Sequence, residues 1–211
     1  MIKIAVADDH PLVLRGIQQT LEEASGFKLA VSATSGKELL KILDKKNVDM
    51  VLLDISMPDG DGIDILKKIK RKFPEMPVIM LSIHPEDQYA VRCIRAGAAG
   101  FISKAAPPED LLQALKDVAE TGKYISKEVA SQLANHIRFG DDKGPLHEKL
   151  SHREFQVFIA LAQGKAIMDI GKELNLSEKT ISTYRARLLE KMHMTNNAEV
   201  VRYALDNRLI R

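Results

Sequence analysis

One cysteine, Cys93, stands alone in 211 residues. A single thiol excludes an internal disulfide and a thiolate metal cluster. No apolar run approaches the roughly 20 residues that span a bilayer, so no membrane contact is expected. The first residues show no basic stretch followed by an apolar one, so no secretory signal is expected. No internal repeat and no low-complexity tract interrupts the chain. Net charge is slight, at +2. These absences point to a cytoplasmic protein and away from secreted, membrane and disordered classes. What is present is ordinary for a globular chain: 45% hydrophobic and 28% charged residues. The length suffices for two domains, each with a core of its own.

The basic excess is uneven. Residues 1–124 carry 17 Lys and Arg against 18 Asp and Glu, whereas residues 150–211 carry ten against seven. Such an imbalance is expected where only the C-terminal part meets nucleic acid. The hydrophobic pattern divides the chain in the same way. Short apolar runs at Ile2–Ala7, Leu29–Ala33, Met50–Leu53, Val78–Leu81 and Gly100–Ser103 alternate with five helical patterns, starting near Pro11, Ser35, Ile63, Gln88 and Pro108. In the first helix Leu12, Ile17 and Leu21 are the inward candidates. The central strands are too apolar to be one-sided, which favours a parallel sheet covered by helices on both faces. Residues 125–139 read as a further helix, and Gly140–Pro145 as a linker rich in turn formers. From Leu150 onward there is no strand pattern, only four helices at about 152–163, 167–174, 178–192 and 196–207.

In a parallel sheet, ligands sit beyond the carboxyl ends of the strands. Four of the five ends here are polar: Asp8-Asp9, Asp54, Ser82 and Lys104. Three carboxylates at one mouth repel one another, and a divalent cation with a taste for hard oxygen relieves this; Mg²⁺ fits. Asp54 then suits a nucleophile toward a phosphoryl group. Lys104 and the Ser82 hydroxyl are placed to meet the phosphoryl oxygens. Val6-Ala7-Asp8-Asp9-His10, Asp54 to Gly62, Leu81-Ser82-Ile83-His84 and Gly97 to Lys104 together resemble the receiver domain of two-component response regulators. The resemblance covers residues 1–122 and implies a flavodoxin-like, doubly wound five-stranded α/β fold. It makes Asp54 the phosphoacceptor and Asp9 the main metal ligand, assisted by Asp8, by Asp54 and by the backbone carbonyl of Ser56. It gives Ser82 and Phe101 the switch positions. Ser56 and His84 fall where the family tunes phosphate lifetime.

Ser151-His152-Arg153-Glu154 is a capping box for the first C-terminal helix. Ser177 caps the third, in which Ile181, Tyr184, Leu188 and Met192 share an inward face. Lys179, Ser182, Thr183, Ala186 and Glu190 lie opposite. A short helix, a tight turn and an amphipathic helix with small polar residues outward suit a helix-turn-helix, and equally a small bundle with a solvated face. Leu150 to Glu154 and Lys172 to Met192 resemble the LuxR-type helix-turn-helix of the NarL/FixJ group. That resemblance places Lys179, Ser182, Thr183 and Ala186 toward the major groove, with Arg187 as a phosphate contact. Ser182 and Ala186 depart from the basic residues common there, which lowers the phosphate-anchoring charge. Arg185 lies nearer the inward face, where an ion pair with Glu154 competes with a role on DNA. The last helix, with Ala198, Val201, Tyr203 and Leu205, resembles the family's dimerisation helix, and its apolar side also suits a core.

The reading is a response regulator transcription factor: receiver 1–122, linker 123–147, DNA-binding domain 148–211. Its expected partners are a sensor histidine kinase, double-stranded DNA and, when phosphorylated, a second copy of itself. It is not expected to be an enzyme beyond handling its own phosphoryl group. The rivals are a Mg²⁺-dependent phosphatase with an aspartate nucleophile, a receiver that signals without phosphate, and a helical domain that binds protein instead of DNA.

Overall fold

The computed structural model describes residues 1–57, 60–83, 86–127, 129–131, 145–207 and 209–210, with the backbone alone at 86–88, 148 and 152. Pro58, Asp59, His84 and residues 132–144, which take in most of the helix expected over 125–139 and the turn-rich stretch before Pro145, lie outside the described residues. The chain forms two compact units, Met1–Asn135 and His136–Arg211.

The first unit alternates strand and helix. Its elements are β1 (Ile2–Ala7), α1 (Pro11–Glu23), β2 (Phe27–Ala33), α2 (Gly36–Leu43), β3 (Met50–Asp54), β4 (Ser56–Met57), β5 (Gly60–Asp61), α3 (Gly62–Lys72), β6 (Val78–Ser82), α4 (Glu86–Arg95), β7 (Gly100–Ser103) and α5 (Pro108–Thr121). The five long strands are parallel, in the order β2-β1-β3-β6-β7. Every residue of β3 and β6 is buried, as expected of central strands covered on both faces. Ser35 and Asp61 cap α2 and α3 with their side chains, and Gly122 ends α5 in the left-handed conformation. The core joins Ile4, Val6, Leu52, Ile79, Leu81, Leu111 and Leu115, with Tyr124 packed against it from beyond α5.

The inward expectation holds for Ile17 and Leu21 and fails for Leu12, which is 80% exposed. Five residues before Ile17, Leu12 points about 140° away from it around the helix, off the buried stripe. The small antiparallel pair β4–β5 is an addition that no periodicity signals.

The second unit is helical: a short 3₁₀ turn at Leu146–Lys149, then α6 (His152–Ala162), α7 (Ile167–Glu173), α8 (Glu178–Lys191) and α9 (Asn197–Asp206). Ile181 and Leu188 of α8 and Met192, its C-cap, are buried, and Tyr184 is half-buried. They pack against a core that includes Phe155, Phe158, Ile170 and Val200. On α9 the buried residues are Val200 and Ala204; Ala198 and Leu205 are exposed. His147, Phe155, Phe158 and Tyr203 form an aromatic cluster with ring centroids about 6 Å apart. No helix among the described residues is long and apolar enough to cross a membrane.

Candidate functional site

The register of the sheet lines up the polar strand ends. Ala7 pairs with Leu53, Asp54 with Leu81, and Ser82 with Ser103. Asp8, Asp54, Ser82 and Lys104 therefore share one edge of four adjacent strands. Asp8 is fully buried, Asp54 and Ser82 almost so, and the Lys104 side chain is 6% exposed.

The Lys104 Nζ lies 2.8 Å from Asp8 Oδ2 and 2.8 Å from Asp54 Oδ2. Beyond that one ammonium, neither oxygen meets a hydrogen-bond donor among the described residues. Asp54 Oδ1 accepts from the Ser56 amide at 3.1 Å. Asp8 Oδ1 accepts from the His10 amide at 2.8 Å. Burial pushes the Asp54 carboxyl above its ordinary range; the Lys104 hydrogen bond and charge oppose this, the Asp8 charge adds to it, and the Ser56 amide opposes it. Ligand atoms of Asp8, Asp9, His10 and Asp54 all come within 4.8 Å of one another. Two buried carboxylates sharing one ammonium, with two oxygens that meet no other donor and Asp9 beside them, are a donor set that fits a hard divalent cation.

The structure thus brings Asp8, Asp9, Asp54 and Lys104 together. Ser82 ends the strand beside Asp54. Phe101 lies within β7 opposite Met80 and is buried, at 3% exposure. Sequence reasoning missed two contributors. The His10 ring touches both Asp8 and Asp9. Gly62 opens α3 hard against the end of β3: a Cβ there would stand 2.7 Å from Ile55 Cα and closer still to the Asp54 carbonyl. The Asp-Gly-Asp-Gly run at 59–62, soon after Asp54, was the trace of it in the sequence.

The second unit presents a different surface. The capping box is complete, with Ser151 accepting from the Glu154 amide and Glu154 accepting from the Ser151 amide. The expected alternative of an Arg185–Glu154 pair is not formed. Lys191 Nζ holds Glu154 Oε2 at 2.7 Å, and the Arg185 Nε donates to Asn197 Oδ1 at 2.8 Å. Lys191 comes a further turn and a half along α8, which brings its long stem to the N-terminus of α6. Burial raises the Glu154 carboxyl, but the Lys191 and Ser151 hydrogen bonds outweigh this and hold it below its ordinary range.

Between α7 and α8 the chain turns tightly. Leu176 donates its amide to the Gly171 carbonyl at 2.8 Å, and Asn175 takes a left-handed φ of 55°. A Cβ at Gly171 would meet the Leu176 carbonyl at 2.8 Å, so glycine there sets how closely the turn approaches α7. Ser177 caps α8 by accepting from Thr180. Lys179, Ser182, Thr183, Ala186 and Arg187 are all exposed on α8. The Thr183 hydroxyl donates to the Lys179 carbonyl. Lys179 and Arg187 have no acidic partner among the described residues.

Residues 4–116 match the model of the response regulator receiver domain, and residues 148–204 match that of bacterial regulatory proteins of the luxR family. The response regulator UvrY of Escherichia coli K12 is 34% identical over 99% of this chain and 96% of its own. The response regulator GacA of Pseudomonas aeruginosa is 33% identical over 100% of this chain and 98% of its own. RcsB of Salmonella enterica serovar Typhimurium, solved on the rprA promoter with the phosphomimetic BeF₃⁻, superposes with a TM-score of 0.64 at 30% identity. That match covers 96% of this chain and 97% of RcsB.

Proposed function

This chain belongs to the two-component response regulators of the NarL/FixJ family, which join a receiver to a LuxR-type helix-turn-helix and regulate transcription, and on that premise we propose that Asp54 accepts a phosphoryl group from a sensor histidine kinase in the cytoplasm. The observation that supports this best is the buried Asp54 carboxylate at the end of β3, sharing the Lys104 ammonium with Asp8 at 2.8 Å each.

In the proposed transfer, an Asp54 carboxylate oxygen attacks phosphorus. The nitrogen–phosphorus bond of the donor phosphohistidine breaks, its imidazole leaves, and an aspartyl phosphate remains. Lys104 pairs with the phosphoryl oxygens, and the Ser82 hydroxyl donates to them. Asp8, Asp9, Asp54 and the Ser56 carbonyl would hold Mg²⁺, which when bound offsets the charge that builds during transfer. Ser82 then moves toward the phosphoryl group and Phe101 repacks behind it. A local charge is thereby read out through a two-state element. The same set supports release of the phosphoryl group to water.

The outcome is control of dimerisation and of sequence-specific DNA binding by the C-terminal domain. Lys179, Ser182, Thr183 and Ala186 would face base edges in the major groove, and Arg187 a phosphate. The boundaries proposed are 1–122 for the receiver, 123–147 for the linker and 148–211 for the DNA-binding domain.

The decisive experiment is intact mass after incubation with acetyl phosphate and Mg²⁺, beside Asp54→Ala. One added phosphoryl group, labile to hydroxylamine and missing from the variant, is expected. No adduct, together with no dimer in beryllofluoride, would overturn the reading.

A further inference from the structure

His10 stands at the acidic cluster, and the phosphoryl chemistry above gives it no part. Its Nδ1 lies 3.0 Å from Asp8 Oδ1 and 2.9 Å from Asp9 Oδ1. Adjacent ligands of an octahedral ion held at about 2.1 Å stand about 3.0 Å apart. Both Nδ1 separations have that length, and the one to Asp8 Oδ1 is also a hydrogen bond. A ligand atom of Asp54 falls within the same 4.8 Å. Independently, Asp8 Oδ2 and Asp54 Oδ2 are buried with no donor among the described residues beyond the shared Lys104 ammonium. Three carboxylates against one ammonium leave two negative charges, which a divalent ion balances.

We propose that His10, through Nδ1, is a further ligand of the cation held by Asp8, Asp9 and Asp54, and that it biases this site from Mg²⁺ toward Zn²⁺ and Ni²⁺. The inference rests on the cation site proposed above. Mg²⁺ sites are built from oxygens, whereas an imidazole nitrogen suits the later transition ions. Ligation through Nδ1 leaves the proton on Nε2, and the ring is 58% exposed, so that proton has water to meet. His10 is also the N-cap residue of α1, but its side chain makes no cap hydrogen bond. Replacing the ring therefore leaves the helix start as it is.

The test compares the full-length protein with His10→Ala in Mg²⁺ and Zn²⁺ titrations. Because the chain has six histidines, only Zn²⁺ that excess Mg²⁺ displaces is counted. The Zn²⁺-to-Mg²⁺ affinity ratio is expected to fall by at least about tenfold in the variant, the scale of loss seen when a metal site is stripped of a supporting group. Co²⁺-loaded wild type should show hyperfine-shifted imidazole resonances that Mg²⁺ removes and that both His10→Ala and His10→Gln lack. An unchanged ratio, or equal losses for both ions, would overturn ligation and leave His10 as an orienter of the carboxylates. If the wild type binds neither ion while still accepting a phosphoryl group, the ligand role fails with the cation site. If it binds both ions with an unchanged ratio in the variant, only the ligand role fails.

Discussion

Among the described residues, Lys104 is the only ammonium in contact with Asp8 and Asp54, and its side chain is almost sealed from water. Removing one partner of a buried pair leaves the others uncompensated, a cost of about 3–5 kcal/mol. Lys104→Ala is therefore expected to lower the calorimetric midpoint of the first unit and to abolish the phosphoryl adduct. Mg²⁺ should recover part of the midpoint, because it supplies the missing positive charge. Gly62 acts on the same carboxylate by shape. Gly62→Ala drives a Cβ into the Asp54 and Ile55 backbone, and overpacking of this kind costs about 1–3 kcal/mol. A lower midpoint with a slower rate of adduct formation is expected. The three carboxylates and Lys104 are legible in the amino-acid sequence as strand-end residues. The contact between His10 and two of them depends on how the turn after β1 folds, and the collision at Gly62 on how closely α3 approaches the end of β3; hydrophobic periodicity encodes neither.

At the scale of the helix, the capping box of α6 carries an ion pair across the second unit. Glu154→Ala removes the cap and strands Lys191, with an expected loss of about 1–2 kcal/mol in denaturant titrations of the second unit. The fold holds Glu154 below its ordinary range. Its contribution is thus complete above the ordinary value near 4.3 and is lost as pH falls through the lower folded value. Wild type and variant should differ at pH 7 and converge in acid; a difference that persists there would refute the assignment. On α8, Arg187→Ala is expected to weaken binding evenly across DNA sequences and to reduce the salt slope by about one. Gly171→Ala should abolish binding altogether, since the Leu176 carbonyl leaves no room for a methyl group in the turn. The four helices and the serine caps of α6 and α8 are readable from the sequence, but the partner of Glu154 is not. Arg185 and Lys191 both follow Ile181 on α8, and only the packing of α6 against α8 selects the lysine.

The whole molecule joins two units with separate cores, so a ligand of one need not stabilise the other. At a Mg²⁺ concentration 100 times its dissociation constant, the first unit should gain about 2.7 kcal/mol while the second keeps its midpoint. Sedimentation with and without beryllofluoride should show dimers in the wild type only when the phosphoryl mimic is present, and none in Asp54→Ala. Patterning along the chain is enough to set the two-part plan. Strands apolar along their whole length can be buried only between two layers of helices, and their carboxyl ends must then bear the polar chemistry. Helical spacing with serine caps defines the second part. Packing settles which of those polar groups meet. The register of β1, β3, β6 and β7 sets Asp8, Asp54 and Lys104 within 2.8 Å contacts, the turn out of β1 lays His10 on two carboxylates, and Leu12 is left facing water. The first of these depends on distances between segments far apart in the chain, and the other two on how a local turn and a helix are oriented toward the sheet; all three are fixed only when the layers pack.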